Sequence, residues 1–389
     1  MIIESVKGKK IKDSRGDFTI EVSIDTDVGK FKASAPNGKS KGKHEAKSYK
    51  KTIEGDIENL EKISDYFSQE HLEKFDDLRR IEDVTKGHIG ANTLFALESA
   101  ALKAISKEQK KEIWQIINPN AKIIPRLVGN CIGGGLHSKL IGGKRPDFQE
   151  FLLVPRENSA IEGFKKNKKA KEKAGKLLEK KDSKFKETKN DENAWMTSLN
   201  EKDVLDVLNQ VDLPLGLDIA SAGFYKRKKY HYKNPPLDRT AEEQLMFVSN
   251  LIKNYPLIYV EDPFDEEDFE THKKLLGLVG DRCMIVGDDL TVTNYKRLEK
   301  AIEIKAINAL IMKPNQNGSL IDVKRVSELA KKNNIKMVFS HRSGETMESI
   351  LADLAFGFEA DFIKCGITGD VREVKIKRLE EIEKSLGKK

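Results

Sequence analysis

The sequence predicts an α/β protein, an N-terminal α+β portion of about 120 residues followed by a run of βα units, and three observations carry that reading. Apolar and polar residues alternate from Phe18 to Ile24 and again from Gly29 to Ala33, the period of half-exposed strands in an antiparallel hairpin or three-stranded meander. From Lys50 to Ile63 and from Ala91 to Ile105 the apolar spacing changes to i, i+3, i+4. That marks two helices, the alanine-rich second one suited to close packing. Beyond residue 205 short apolar runs each end in a polar residue and precede a helix-like segment.

Six such runs follow in order: VDLPLGLDIA with Asp218, PLIYVEDPF with Glu261, CMIVGDDL with Asp288, INALIMKPN with Lys313, KMVFSHRSG with His341 and ADFIKCG with Lys364. Their polar ends recur at intervals of 23 to 43 residues, about the length of a strand, a crossover helix and the return. Uninterrupted apolar runs mean strands buried on both faces, as in a parallel sheet covered by helices. A doubly wound sheet and a closed barrel both satisfy this much. The Pro-bearing link INPNAKIIP, residues 117–125, separates the two portions.

Composition narrows the function classes. A chain of 389 residues with 38% hydrophobic and 34% charged residues is neither collagen-like nor wholly disordered. No apolar run approaches the roughly 18 residues of a membrane span, and the opening MIIESVKGKK lacks the apolar core of a secretory signal. The expectation is a soluble cytoplasmic protein without a membrane partner. Cys131, Cys283 and Cys365 are far apart and in no CxxC pair, which argues against a disulfide framework or a thiolate zinc site. The net charge of +7 sits in residues 161–190, where 12 Lys face 5 acids, so the rest of the chain is balanced. That stretch lacks the aromatic and arginine clusters that stack bases, and it reads as a solvated helical face, not as a nucleic-acid site.

In a closed barrel every parallel strand delivers its C-terminal end to one rim. The six polar ends, three acids, then lysine, histidine and lysine, would converge there. Singly, an Asp or Glu after a strand is an ordinary turn or cap residue; six in register are not. Three converging carboxylates repel one another, and a hard divalent cation, most simply magnesium, resolves the repulsion. Lys313 emerges from Ala309-Leu310-Ile311-Met312, so burial and a neighbouring cation are expected to depress its pKa and let it act as a base near neutral pH. In SHRSGET, Arg342 offers a planar donor fork and Ser343 a hydroxyl for a phosphate. The set suits proton abstraction beside a carboxylate, with metal cations stabilising the charge that develops.

Read as motifs, the chain resembles the enolase family over most of its length. The segments that carry the resemblance are DSRGDFTIEV (13–22), APNGKSKGKHEA (35–46), IGANTLFALESAALKA (89–104), FQEFLLVP (148–155), GLDIAS (216–221), VEDPFDEEDF (260–269), VGDDLTVTN (286–294), MKPNQNGS (312–319), SHRSGET (340–346) and IKCG (363–366), in family order. The fold implied is an N-terminal α+β capping domain, residues 1–122, on a (β/α)8 barrel of ββαα(βα)6 order, residues 123–389. The activity implied is the magnesium-dependent, reversible dehydration of 2-phosphoglycerate to phosphoenolpyruvate. The resemblance further implies Asp218, Glu261 and Asp288 as ligands of a tighter magnesium, with Ser40 on a second ion that arrives with substrate. Lys313 would take the proton from carbon 2. Glu192 would help the carbon 3 hydroxyl leave, with Glu150 as its acidic partner beside Gln149. Lys364 would hold the substrate carboxylate, Arg342 and Ser343 the phosphate, and His137 and His341 would line the pocket. Homodimers, sometimes octamers, are usual in the family.

This chain departs from the family pattern mainly on loops. Asn193-Ala194 follows Glu192 where the family has two glycines, so the loop should be stiffer or reshaped. Lys39 and Lys41 flank Ser40 in place of small or uncharged residues, and Asp17-Phe18 replaces Asn-Pro. The stretch from Glu192 to Asp218 is shortened, and LHSKLIGGKRPDFQEF carries extra residues between His137 and Glu150. Two alternatives follow from these changes: action on a different small phosphorylated or carboxylated hydroxy acid, or a non-catalytic scaffold that binds through its Lys-rich face.

Overall fold

The structure, a computed structural model, describes residues 1–39, 41–69 and 71–387. Strands β1 (Ile3–Lys12), β2 (Phe18–Thr26) and β3 (Gly29–Ser34) form the antiparallel meander that the alternation predicts. Helices α1 (Ile53–Ile63), α2 (Leu78–Thr85), α3 (Ala91–Gln109) and the short α4 (Ile113–Ile117) follow. Thr52 caps α1 by accepting from the Gly55 amide, a favoured Ncap bond. The small side chains Ala96, Ala100, Ala101 and Ala104 of α3 are fully buried, which lets the helix lie close on β2 and β3.

From Arg126 the chain winds a closed barrel. Strands β4 (Arg126–Gly133) and β5 (Glu150–Leu153) come first, then α5 (Ala160–Lys181), the two-residue strand β6 (Trp195–Met196) and α6 (Glu201–Leu208). After β7 (Leu215–Asp218) a small excursion, β8 (Tyr225–Lys226), β9 (Lys229–Lys233) and β10 (Pro236–Arg239), leads to α7 (Ala241–Asn254). Five further βα units complete the ring: β11 (Leu257–Glu261) and α8 (Phe269–Val279), β12 (Met284–Gly287) and α9 (Tyr295–Ile304), β13 (Ala309–Met312) and α10 (Leu320–Lys332), β14 (Lys336–Ser340) and α11 (Ile350–Gly357), β15 (Phe362–Lys364) and α12 (Asp370–Leu386).

Closure comes from β15 pairing with β4, and β5 runs antiparallel to both of its neighbours. The order is therefore ββαα(βα)6, and the doubly wound alternative is excluded. Two antiparallel neighbours explain why no βα rhythm is visible before residue 205.

Inside the ring Val128, Leu152, Tyr259, Val286, Ala309, Ile311, Val338 and Phe362 form a core of their own. Side chains alternate along a strand, so the residue two places after an inward one also points inward at the rim. Tyr259 is followed by Glu261, Val286 by Asp288, Ile311 by Lys313 and Phe362 by Lys364. On β5, Leu152 and Glu150 share a face, with Glu150 in register with Asp218. The chemistry continues the rows that pack the core.

Candidate functional site

Two lysines pair with the acids at the barrel mouth. The Lys364 ammonium lies 2.9 Å from Asp218, 2.8 Å from Glu261 and 3.3 Å from Glu150. Lys313 donates to Asp288 Oδ2, and the other oxygen of Asp288 accepts from Gln316 Nε2 at 3.2 Å. Glu261 is fully buried, and its Oε1 has no hydrogen-bond partner. Burial, then the neighbouring Asp218, pushes the Glu261 carboxyl well above its ordinary range. Asp288 goes down: burial opposes this, but Lys313 outweighs it.

Lys313 corrects the expectation of a depressed pKa. Burial does pull it down, but the Asp288 carboxylate against it wins, and the ammonium is held above its ordinary range. An anion in contact outweighs the apolar strand beneath.

The three expected metal ligands are gathered at one mouth but do not form a tight group. The two sets of three whose ligand atoms all lie within 4.8 Å of one another, among the described residues, are His137, Glu150 and Glu192, and Asp262, Asp288 and Asp289. Both Asp262 oxygens already accept amides, Asp288 N at 2.9 Å and Asp289 N at 2.6 Å, so Asp262 shapes the turn that presents Asp288. Asp218 and Glu261, by contrast, already share one ammonium, and Glu261 keeps a buried oxygen free. Buried carboxylates with an unsatisfied oxygen are the donor set a hard divalent cation takes, so the residues present fit such an ion.

Glu192 and Glu150 form a second acidic pair around His137, whose Nδ1 lies 3.5 Å from Glu192 and 3.7 Å from Glu150. Glu192 also accepts from Asn130 Nδ2 at 3.0 Å and lies 3.5 Å from His341 Nε2. Both carboxyls feel burial first. The histidines and Arg372 pull Glu192 well below the ordinary range, whereas Glu192 itself drives Glu150 up. Of the two, Glu150 therefore holds a proton more readily than Glu192, the residue expected to act as the acid. Gln149 lies beside Asp218, its Nε2 3.5 Å from Oδ2.

The anion fork is in place but engaged. Arg342 Nη2 holds both oxygens of Glu45, at 2.9 and 3.0 Å, and Nη1 donates to Asn315 at 3.2 Å. Ser343 Oγ accepts from the Lys39 amide at 2.8 Å and from Arg15 at 2.9 Å. Gly38 fits here only because it lacks a side chain: a Cβ would stand 1.9 Å from Arg342 Nη2. Residues 36–39 and 41–45 are thus folded over the site, whose free space is about 20 Å³, enough for about one water. Ser40 lies outside the described residues. A larger cavity of about 470 Å³, lined in part by Leu136 and Arg145 of the lengthened loop and by Lys233 of β9, opens beside it and shares Gln149.

Several residues here escape sequence reasoning. Fully buried Arg372 donates to His341 Nδ1 at 2.6 Å and to the Ser343 carbonyl at 2.7 Å. This fixes the His341 proton on Nε2, and burial, with Arg372 adding to it, lowers His341 to about 4. Arg372 sits in an ordinary helical charge pattern that carries no signal; Arg15 and Glu45 lie within DSRGDFTIEV and APNGKSKGKHEA, and Asp262 and Asp289 stand beside Glu261 and Asp288. The Lys-rich stretch also needs correction. Most of its lysines are exposed, but Lys171 is only 3% exposed.

An α+β cap on a closed barrel whose mouth collects buried acids around two lysines defines a TIM-barrel enzyme fold with a cation-accepting centre. Two family models match the chain: "Enolase, N-terminal domain" over residues 3–117 and "Enolase, C-terminal TIM barrel domain" over 121–389. The chain is 37% identical to the enolase of Methanothermobacter thermautotrophicus, with 99% of this chain and 97% of the relative covered. It is 36% identical to that of Methanosphaera stadtmanae, over 99% and 97%, and 34% identical to that of Pyrobaculum aerophilum, over 98% and 96%. The chain belongs to the enolase family, whose members are carbon–oxygen lyases.

Proposed function

We propose that the protein is a magnesium-dependent phosphopyruvate hydratase that reversibly dehydrates 2-phosphoglycerate to phosphoenolpyruvate, working in the cytoplasm as a homodimer or larger homo-oligomer. The observation that carries the reading is the meeting of Asp218, Glu261, Lys313 and Lys364 at one barrel mouth, with Glu150 against Lys364 and Glu192 lining the same pocket.

Asp218, Glu261 and Asp288 would hold the tighter magnesium and Ser40 a second ion. Bound there, magnesium supplies positive charge beside the substrate carboxylate, which makes the carbon 2 hydrogen acidic. With Asp288 engaged by that ion and the cation's charge beside it, Lys313 would give up its own proton to solvent, and the neutral amine would take the carbon 2 proton on Nζ. Lys364 holds the substrate carboxylate by charge-assisted hydrogen bonds. The carbon 3 hydroxyl would leave as water toward the Glu150–Glu192 pair, taking a proton delivered there, with His137 beside both carboxyls to relay it. Arg342 exchanges Glu45 for the phosphate, and Ser343 adds a hydroxyl. Residues 36–39 and 41–45, folded over the mouth, keep water away from the acidic hydrogen.

A coupled spectrophotometric assay for phosphoenolpyruvate, run with magnesium and then with chelator, tests the reading. Formation that depends on magnesium supports it. Absence of product from 2-phosphoglycerate with magnesium present rejects it.

A further inference from the structure

We infer that Lys171 is a positioning residue for the Glu192 loop, its buried ammonium tying that loop to the segment that follows Lys364. The inference rests on the role proposed above for Glu192. Lys171 lies in the middle of α5, among lysines that face solvent, yet its Nζ donates inward to the Asn193 carbonyl and the Thr368 hydroxyl. Its own carbonyl accepts Trp195 Nε1 at 2.9 Å. One residue thus holds the chain at two points just after Glu192, at Asn193 and at Trp195.

The turn is built to receive that grip. Asn193 has φ +60°, a left-handed conformation that asparagine tolerates better than most residues. Asn190 Oδ1 accepts from the amides of Glu192 and Ala194, both at 3.0 Å. Gly369 makes room on the other side: a Cβ there would stand 2.2 Å from Asn193 Nδ2. The Asn193-Ala194 pair, Gly369 and Lys171 therefore lock together as one unit.

Neither partner that Lys171 donates to is a carboxylate. Glu373 favours the ammonium from a distance, Lys168 and Lys189 oppose it, Cys131 lies close by, and burial lowers it to about 8. Leaving an ammonium here is costly, and its contacts go to the Glu192 turn and the β15–α12 loop. Displacing a reacting group by about 1 Å can cost about 100-fold in rate, which is the scale on which such a tie matters.

The test compares Lys171→Met, Thr368→Val and Glu192→Gln in the full chain with magnesium. Two rates are read: exchange of the carbon 2 hydrogen with solvent, and phosphoenolpyruvate formation at saturating 2-phosphoglycerate. Lys171→Met should slow dehydration by about 10- to 100-fold while exchange and KM stay near wild type. Thr368→Val, which keeps the ammonium and removes one acceptor, should show a smaller loss in the same step alone. Wild-type dehydration in Lys171→Met beside an impaired Glu192→Gln overturns the positioning role and leaves the Glu192 reading standing. Equal loss of exchange and dehydration in Lys171→Met also overturns it, because a residue acting through Glu192 does not reach the Lys313 step. Unimpaired dehydration in Glu192→Gln removes the role of Glu192 and this inference with it.

Discussion

The Lys364 ammonium lies 2.8 Å from the Glu261 carboxylate, so lysines occupy carboxylates that the proposed magnesium would take. Magnesium then competes with internal ammonium groups, and every carboxylate counts. Asp288→Asn removes a formal charge from a proposed ligand. Titration calorimetry should give at least about tenfold weaker magnesium binding, and the stabilisation that magnesium gives the wild type, about 2.7 kcal/mol at 100 times its Kd, should shrink at the same concentration. Wild-type values for both would remove Asp288 from the ligand set.

His272 sets a pH dependence away from the site. It is fully buried edge-on to Phe264, ring centroids 5.2 Å apart, and burial lowers it from 6.5 to about 4. Between these values the unfolded chain binds the extra proton, so stability rises with pH. The contribution is complete above about pH 6.5 and is lost as pH falls toward 4. His272→Phe should flatten this part of the profile by about 2 kcal/mol, measured as urea midpoints at pH 7 and pH 4.5. Equal acid loss in the variant and the wild type would place the sensitivity elsewhere.

Lys39, unusual beside Ser40, bridges the closed loop to Asp191 at 2.8 Å, next to Glu192. Both partners are partly exposed, 42% and 30%, so the pair is worth about 0.2–1 kcal/mol. Lys39→Ala should raise KM by no more than about fivefold at low salt, and the difference should vanish near 1 M salt, where the screening length is about 3 Å. A large or salt-independent effect would mean that Lys39 touches substrate.

Much of this was legible because barrel chemistry follows strand periodicity. Tyr259 and Glu261, or Ile311 and Lys313, are two apart, so the row that packs the core also aims the polar end. What stayed hidden depends on contacts between distant segments. Arg342 meets Glu45 and Ser343 meets Arg15 across about 300 positions, and no spacing rule reports such pairs. Lys171 shows the opposite error: charge content marked its helix as solvated, whereas the turn beside Glu192 draws one of its lysines inside. The pKa of Lys313 was misjudged because its sign depends on a contact with Asp288, not on burial alone.

The most direct measurement is hydrogen exchange at carbon 2 of 2-phosphoglycerate in Lys313→Ala, followed by magnetic resonance in deuterated water with magnesium present. The account predicts that exchange disappears while folding and metal binding persist. Exchange at the wild-type rate in that variant would contradict it, since the proton would then be leaving to another base.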